Sequence, residues 1–244
     1  MVTSQPERGD SERCPIFGEK VEQHHERIDV NRWEDIYIVG DVHGCRTELE
    51  ALLDSLDVDG NDLVVYAGDL IRKGPDTRGV LNLVRSRLNM KSVLGNNEAK
   101  FIRGETGLDL SHRNTNYVRS LPVAISWPGV LIVHGGLDPQ RDLVNHDVTD
   151  LLNMRAPHAD NEYEGPLWYD DYEGPLQVFF GHTVHERPME QENTVALDTG
   201  CVHGGALTAY DWRAEEFDMV SAETTYLDRS ENKIVRLDGD SVFN

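Results

Sequence analysis

The 244-residue chain has 39% hydrophobic and 27% charged residues, a composition typical of a soluble globular protein long enough to bury one sizeable core. With 23 basic and 44 acidic residues its net charge is -21, and a surface this acidic repels the phosphate backbone of extended nucleic acid. No apolar run of 18 residues occurs and the N-terminus lacks an apolar signal segment, so we expect a cytoplasmic protein that does not bind or span a membrane.

The first 34 residues are polar and show no sustained periodicity. We interpret residues 1–34 as a loosely ordered N-terminal extension. Beyond them the chain has no linker rich in Gly, Ser or Pro and no internal repeat. Residues 35–244 are therefore predicted to form a single domain.

Strands and helices are predicted to alternate from residue 35 onward. "DIYIV" (35–39) is a short β-branched run, and "RTELEALLDSL" (46–56) after it has apolar residues at helical spacing. "DLVVY" with "TRGVLNLVRSRL", and then "KSVL" with "NNEAKFI", repeat this order. Three such units favour a largely parallel sheet, whose ligands bind at the carboxyl ends of the strands.

The second half of the chain is richer in predicted strands. Short apolar or alternating runs separated by turn residues favour antiparallel hairpins: "VAISW", "GVLIV", "LQVFF", "TVALD", "ALTAYDW", "FDMVS" and "KIVRL". Two facing sheets with helices outside would bury both sets of strands. We predict an α/β fold, a four-layer α/β/β/α sandwich of two mixed β-sheets flanked by helices.

Polar residues of metal-binding types follow several of these apolar runs. A single Gly-Asp or His at a strand end is usually a turn former or a satisfied polar residue, but an ordered series of them predicts a shared cleft. The candidate metal ligands are Asp41, His43, Asp69, Asn96, His134 and His182.

The repulsion between two metal ions leads us to predict that one of these carboxylates bridges them. Two divalent cations about 4 Å apart repel each other, and an anionic carboxylate between them offsets the repulsion. Asp69 lies at the centre of the series and is our choice for the bridge. Mixed carboxylate, imidazole and amide donors suit Mn, Fe, Co or Zn better than Mg or Ca.

The motifs "GDVHG", "GDLIRKGPD", "GNNE", "HGG" and "GHT" occur in an order that resembles the calcineurin-like metallophosphoesterases, and within them the phosphoprotein phosphatase branch. "LQVFFGHT" followed by "VALDTGCVHGGALTA" is similar to the symmetrical diadenosine tetraphosphate hydrolases and ApaH-like phosphatases. The resemblance covers residues 35–212. It implies a double β-sandwich with a two-metal centre, for which we expect two Mn ions, with Fe, Zn, Co or Ni as alternatives.

The resemblance also implies a role for each candidate residue. One metal would be held by Asp41, His43 and Asp69, and the other by Asp69, Asn96, His134 and His182. Lys73, which stands where most relatives have Arg, and Arg155 would bind phosphate and stabilise the charge that develops on it.

Two departures from the family pattern concern the leaving group. Asn97 replaces the histidine expected to protonate the leaving oxygen, and Arg72 stands where many protein phosphatases have an Asp that orients this histidine. A general acid contributes about 10² to 10⁴ in rate, and a poor leaving group needs it most. We therefore predict a bias toward phosphoanhydrides and activated esters, with Arg72 as a further phosphate contact.

These features predict a two-metal phosphohydrolase that cleaves a phosphorylated small molecule or nucleotide, such as a dinucleoside polyphosphate, by attack of a metal-activated water. One alternative is a protein serine/threonine phosphatase. Another is a non-catalytic protein that binds phosphate or nucleotide and has lost its histidine. Product identity separates the two enzymes, because a dinucleotide yields nucleotides and a phosphoprotein yields orthophosphate.

Weaker signals come from the remaining composition. Lys supplies only 5 of the 23 basic residues, which resembles the proteins of salt-loving microbes, although a merely acidic cytoplasmic protein is the alternative. His203 in "GCVHGG" is interpreted as a structural or surface histidine rather than a cleft residue. Cys14, Cys45 and Cys201 contain no CxxC pair and are interpreted as ordinary thiols.

Overall fold

Two mixed β-sheets form the centre of the structure, a computed structural model that describes residues 14–157, 163 and 165–236. Its strands are β1 (His25–Arg27), β2 (Ile36–Val39), β3 (Leu63–Tyr66), β4 (Met90–Ser92), β5 (Ala124–Trp127), β6 (Val130–Val133), β7 (Gln177–Phe180), β8 (Met189–Gln191), β9 (Thr194–Ala196), β10 (Ala206–Asp211) and β11 (Glu216–Ser221).

Helices lie between and beside these strands. The α-helices are α1 (Glu19–Glu22), α2 (Arg46–Ser55), α3 (Thr77–Ser86), α4 (Asn96–Ile102), α5 (His112–Ser120) and α6 (Val148–Asn153). Short 3-10 helices occur at Val30–Arg32, Leu143–Asn145, Trp168–Asp170, Cys201–His203 and Glu231–Lys233. None of the helices in the described part of the chain is long and apolar enough to cross a membrane.

The first sheet has the strand order β11-β10-β2-β3-β4, and the second has the order β1-β5-β6-β7-β9-β8. In the first sheet β2, β3 and β4 are parallel, as the three strand-helix units predicted, while β10 is antiparallel to β2. In the second sheet β6, β7 and β9 are parallel, which differs from the antiparallel hairpins expected there. Hairpins are formed by β5 with β6, β8 with β9 and β10 with β11.

Three clusters of buried apolar side chains pack the layers against one another. Ile38 of the first sheet and Phe179 of the second belong to a cluster between the sheets. Leu49 of α2 and Val80 of α3 pack on the outer face of the first sheet, and Trp168 belongs to the cluster on the outer face of the second. Because β2 and β3 bury both faces, every residue of these strands is apolar. The two mixed sheets with flanking helices confirm the predicted α/β sandwich.

The segment before residue 35 differs from the loose order predicted for it. Phe17 and Val21 are buried in the core, and β1 pairs in parallel with β5, with His25 opposite Ala124. The sequence of β1 is polar because an edge strand is held mainly by its backbone hydrogen bonds, so hydrophobic periodicity does not reveal it. Residues 1–13 lie outside the described residues, and the division at residue 35 stays a prediction.

Two short elements in the second half of the chain also differ from the prediction. The predicted strand at "KIVRL" is wrong over residues 233–236, where Lys233 ends a 3-10 helix and Val235 makes a single bridge with His185. Strand β8 was not predicted, because two of its three residues are polar and exposed. Both elements lie at an edge of the fold, where little apolar surface is buried.

Candidate metal centre

The turns that follow the parallel strands bring the predicted ligands to one edge of the sandwich. Asp41 and His43 follow β2, Asp69 follows β3, and Asn96 begins α4 after β4. His134 follows β6 and His182 follows β7, so both sheets contribute to the cluster. This is the edge at which parallel α/β sheets bind ligands.

Strained backbone marks the same turns. Seven non-glycine residues in the described chain have positive φ, and five of them belong to the predicted site. They are His43, Asp69, Arg72, Lys73 and His182, with φ values of 49°, 47°, 69°, 66° and 66°. Such conformations cost about 1–3 kcal/mol each and persist where surrounding contacts fix them, which is common at functional sites.

The carboxylates and imidazoles approach one another closely and are shielded from solvent. One ligand atom from each of Asp41, Asp69 and His134 lies within 4.8 Å of the other two. His43 Nε2 is 3.5 Å from Asp41 Oδ2 and 3.6 Å from Asp69 Oδ2. His134 Nε2 is 3.5 Å from Asp69 Oδ1, and the rings of His134 and His182 are 4.9 Å apart between centroids. Asp41 and Asp69 thus each contact predicted ligands from both sheets.

Charges inside this buried cluster shift the pKa values in opposite directions. Burial and the nearby Asp198 raise the pKa of Asp41 well above its usual value. Burial acts in the same direction on Asp69, but His134 and His43 outweigh it and hold the pKa of Asp69 well below normal. Burial alone would lower the pKa of His134, whereas Asp69 and Asp41 raise it to about 9. The cluster concentrates negative charge that a cation would neutralise.

The ring hydrogen bonds leave particular nitrogens available as ligands. His134 Nδ1 donates to the Ala67 carbonyl at 2.8 Å, and His43 Nδ1 donates to the Ile71 carbonyl at 3.2 Å. Nε2 of His134 and Nε2 of His182 are buried and have no hydrogen-bond partner among the described residues. Buried nitrogens that lack hydrogen-bond partners and lie beside carboxylates are energetically unfavourable unless a cation is bound. The residues present therefore fit a divalent metal.

The predicted cationic residues lie at the same cluster. Lys73 Nζ donates to His43 Nε2 at 2.6 Å. Burial and the positive charge of Lys73 lower the pKa of His43 to about 4. An Arg155 Nη is 3.3 Å from the His182 carbonyl oxygen and 3.4 Å from His182 Nδ1. Both positive groups therefore border the metal-ligand cluster, where a phosphoryl group would need them.

Asn97 is buried and bonded on every polar atom of its amide. Its Nδ2 donates to Asp69 Oδ2 and to Asn96 Oδ1, and its Oδ1 accepts from Arg72 Nη1 at 2.6 Å. Its backbone N–H donates to Asp69 Oδ1 at 2.8 Å. The two departures from the family pattern, Arg72 and Asn97, thus contact each other directly and act on a predicted ligand.

Sequence reasoning missed two buried carboxylates of the site. Glu98 accepts the backbone N–H groups of Asp69, Gly95 and Ile71 at 3.0 to 3.1 Å and so fixes the turn that carries Asp69. Asp198 follows β9 and contributes to the raised pKa of Asp41. The position of Asp198 at the end of "TVALD" is the same strand-end signal that identified Asp69, so the sequence could have revealed it.

The chain is similar to a known protein family, to curated proteins and to solved structures. The family model described as calcineurin-like phosphoesterase matches residues 35–222. The asymmetrical bis(5'-nucleosyl)-tetraphosphatase PrpE of Halalkalibacterium halodurans is 30% identical over 74% of this chain and 91% of the relative. Serine/threonine-protein phosphatase 1 of Salmonella typhimurium is 26% identical over 77% of this chain and 96% of the relative. The crystal structure of a candidate diadenosine tetraphosphatase superposes with a TM-score of 0.74 at 31% identity, covering 82% of this chain and 98% of the other.

Proposed function

The chain belongs to the calcineurin-like phosphoesterase family, and from this premise we propose that it is a two-metal phosphohydrolase that cleaves phosphoanhydrides such as dinucleoside polyphosphates. The observation that carries the proposal is the buried cluster of Asp41, Asp69 and His134, which borders the cations Lys73 and Arg155. The relative from H. halodurans, named a bis(5'-nucleosyl)-tetraphosphatase, supports the substrate class.

We assign the metal ligands as the sequence predicted them. One metal would be held by Asp41, His43 and Asp69, and the other by Asp69, Asn96, His134 and His182. When bound, the two ions supply Lewis-acid polarisation of the phosphoryl oxygens and of water. The mixture of carboxylate, imidazole and amide donors favours Mn, with Fe, Zn, Co and Ni as alternatives.

The protein's own cations orient the substrate in this proposal. Arg155 contacts His182, and Lys73 contacts His43. Their positive charges bind the phosphoryl group and offset the charge that develops on its oxygens. Arg72 reaches the same cleft through Asn97 and adds a third positive charge.

In this proposal Asn97 determines which leaving groups the site can expel. Both protons of its amide nitrogen are engaged with Asp69 and Asn96, and an amide does not donate a proton to a departing oxygen. The leaving group must therefore depart as an anion, which a nucleotide phosphate does far more readily than a serine alkoxide. For this reason we place phosphoanhydride cleavage ahead of phosphoprotein hydrolysis, although the Salmonella relative is named as a phosphatase of proteins.

The acidic composition supports a salt-adapted protein, and the cytoplasmic location stays a prediction from the sequence. A net charge of -21 on 244 residues creates strong self-repulsion that dissolved salt screens. High salt is accordingly the condition in which the protein should be assayed.

The test is hydrolysis of diadenosine tetraphosphate, p-nitrophenyl phosphate and a phosphoserine peptide by the Mn-loaded protein in high salt. We expect turnover of the dinucleotide, its loss in Asp69→Asn, and little release of orthophosphate from the peptide. Two molecules of ADP would identify symmetrical cleavage, and AMP with ATP would identify asymmetrical cleavage. Preference for the peptide would reverse the proposed order of substrates, and no turnover despite bound metal would favour a non-catalytic phosphate-binding protein.

A further inference from the structure

A line of contacts leads away from the metal centre toward the C-terminal part of the described chain. Arg155, beside His182, lies with its guanidinium carbon 4.9 Å from the centre of the Tyr163 ring. Arg229 approaches the same ring at 5.8 Å and donates to the Tyr163 hydroxyl at 2.9 Å. The two arginines therefore share one aromatic residue, and Arg229 is the one farther from the metal ligands.

A second set of contacts places Arg229 beside the same cleft. Its Nη1 is 3.4 Å from His203 Nε2, and His203 Nδ1 donates to the Leu227 carbonyl at 2.7 Å. Burial lowers the pKa of His203, and the positive charges of Lys73 and Arg229 add to the effect. His203 thus has a structural role, as the sequence predicted, because its ring joins the Leu227 carbonyl to Arg229.

The partners of Arg229 leave its charge unneutralised. They are the Tyr163 hydroxyl, the His203 ring and the Lys233 carbonyl at 2.8 Å, all of them uncharged groups or a ring whose pKa is lowered. Within residues 14–157, 163 and 165–236, no carboxylate lies within the 4.0 Å ion-pair distance of Arg229. An anchored guanidinium without an anion is unexpected in a chain with 44 acidic and 23 basic residues.

We propose that Arg229, positioned by Tyr163 and His203, binds the distal phosphates of a substrate whose reacting phosphoryl group is held at Arg155. The inference rests on the proposed function and specifies its substrate class, a linear phosphate chain rather than a phosphomonoester. Both guanidinium groups lie near the Tyr163 ring, and Arg155 is the one that contacts the predicted ligand His182. A single phosphate at the metal centre would be bound at Arg155, whereas a chain of several phosphates would extend past Tyr163 toward Arg229. Arg229 lies beyond residue 222, where the match to the family model ends.

The experiment compares diadenosine tetraphosphate, inorganic tripolyphosphate and p-nitrophenyl phosphate as substrates of the Mn-loaded full-length protein. Arg229→Gln removes the charge, Arg229→Lys retains it without the planar fork, and Arg119→Gln is a matched control at an exposed position on α5. In Arg229→Gln we expect kcat/KM for both phosphate chains to fall about 10- to 100-fold relative to kcat/KM for p-nitrophenyl phosphate. Arg229→Lys should recover part of this ratio, and the control should retain it.

The outcomes separate this inference from the proposed function. Turnover of phosphate chains with an unchanged ratio in Arg229→Gln would overturn the distal site and leave the proposed function standing. A loss confined to the dinucleotide would show a contact with the nucleoside, which also overturns it. If no substrate is cleaved, calorimetric binding of tripolyphosphate to the chelator-treated protein decides the matter, since the inference requires weaker binding by Arg229→Gln than by the native chain. Circular dichroism of each variant checks that the fold is retained.

Discussion

Replacing Asn97 with the histidine of the family pattern should not restore general-acid catalysis by itself. It should do so only when Arg72 is replaced as well. Arg72 Nη1 donates to Asn97 Oδ1 at 2.6 Å, and Asn97 is 3% exposed, so a new ring at this position has no room to avoid the guanidinium. The protonated ring that general-acid catalysis requires would meet a positive charge about 4 Å away. At an effective dielectric constant of about 20 this repulsion is about 4 kcal/mol, a factor of roughly 10³ against the charged ring.

The same substitution removes a bond to a predicted ligand. Asn97 Nδ2 donates to the Asp69 carboxylate, and hydrogen bonds to charged groups are worth about 1.5–3 kcal/mol. Asn97→His alone should therefore reduce cleavage of diadenosine tetraphosphate by about tenfold or more. In Arg72→Asp/Asn97→His, the new carboxylate reverses the sign of the interaction and orients the ring.

The assay is kcat/KM for phenyl phosphate, a poor leaving group, and p-nitrophenyl phosphate, a good one, with the metal content of each variant measured in parallel. The double variant should exceed Asn97→His by about 10²-fold on phenyl phosphate, the lower end of the general-acid range, with a smaller gain on p-nitrophenyl phosphate. Equal gains on both substrates, or a full gain from Asn97→His without the change at Arg72, would refute the reasoning.

Three further outcomes follow from buried groups and net charge. Glu98→Gln should weaken Mn binding about 10- to 100-fold in a metal titration, because Glu98 supports the turn of Asp69, and unchanged affinity would assign Glu98 to folding alone. His185 accepts from the Tyr169 hydroxyl and burial lowers its pKa to about 4, so stability present above pH 6.5 is lost as the pH falls toward 4. Urea unfolding should show that the free energy of unfolding is about 2 kcal/mol lower at pH 5, and this loss should be smaller in His185→Gln. The melting temperature should rise between 0.1 and 2 M KCl as salt screens the charge of -21, and a flat profile would contradict salt adaptation.

Much of the sandwich could be predicted because its central strands are buried on both faces. β2 and β3 contain only apolar residues, and each is followed by a helix with apolar spacing, so composition and period agree. β1 and β8 could not be predicted in the same way, because edge strands need backbone partners more than apolar side chains. The parallel pairing of β6, β7 and β9 depends on long connections whose path a local pattern does not encode.

The site, like the fold, could be predicted where the sequence pattern is local and could not where it depends on contacts between residues far apart in the sequence. Asp41, Asp69 and His134 could be found because each polar residue interrupts an apolar run at the end of a strand. The contact between Arg72 and Asn97 joins residues 25 positions apart, so the sequence indicated two separate departures but not their hydrogen bond. Arg229 had no sequence signal, since its significance comes from partners that only the fold brings beside it.

The predicted ligands also hold each other's backbone in place, which affects how their substitutions should be read. The His182 N–H donates to Asp41 Oδ1 at 3.1 Å, the His43 N–H donates to the Asp69 carbonyl at 2.8 Å, and the Asn97 N–H donates to Asp69 Oδ1. The Asp41 and Asp69 carboxylates thus accept backbone N–H groups as well as carrying charge, and His182, which Asp41 holds, has a positive φ that would otherwise be unfavourable. Alanine at position 69 would remove both roles together. Asparagine keeps an acceptor oxygen for the backbone while removing the negative charge, and for this reason Asp69→Asn is the variant that isolates the contribution of metal binding to activity.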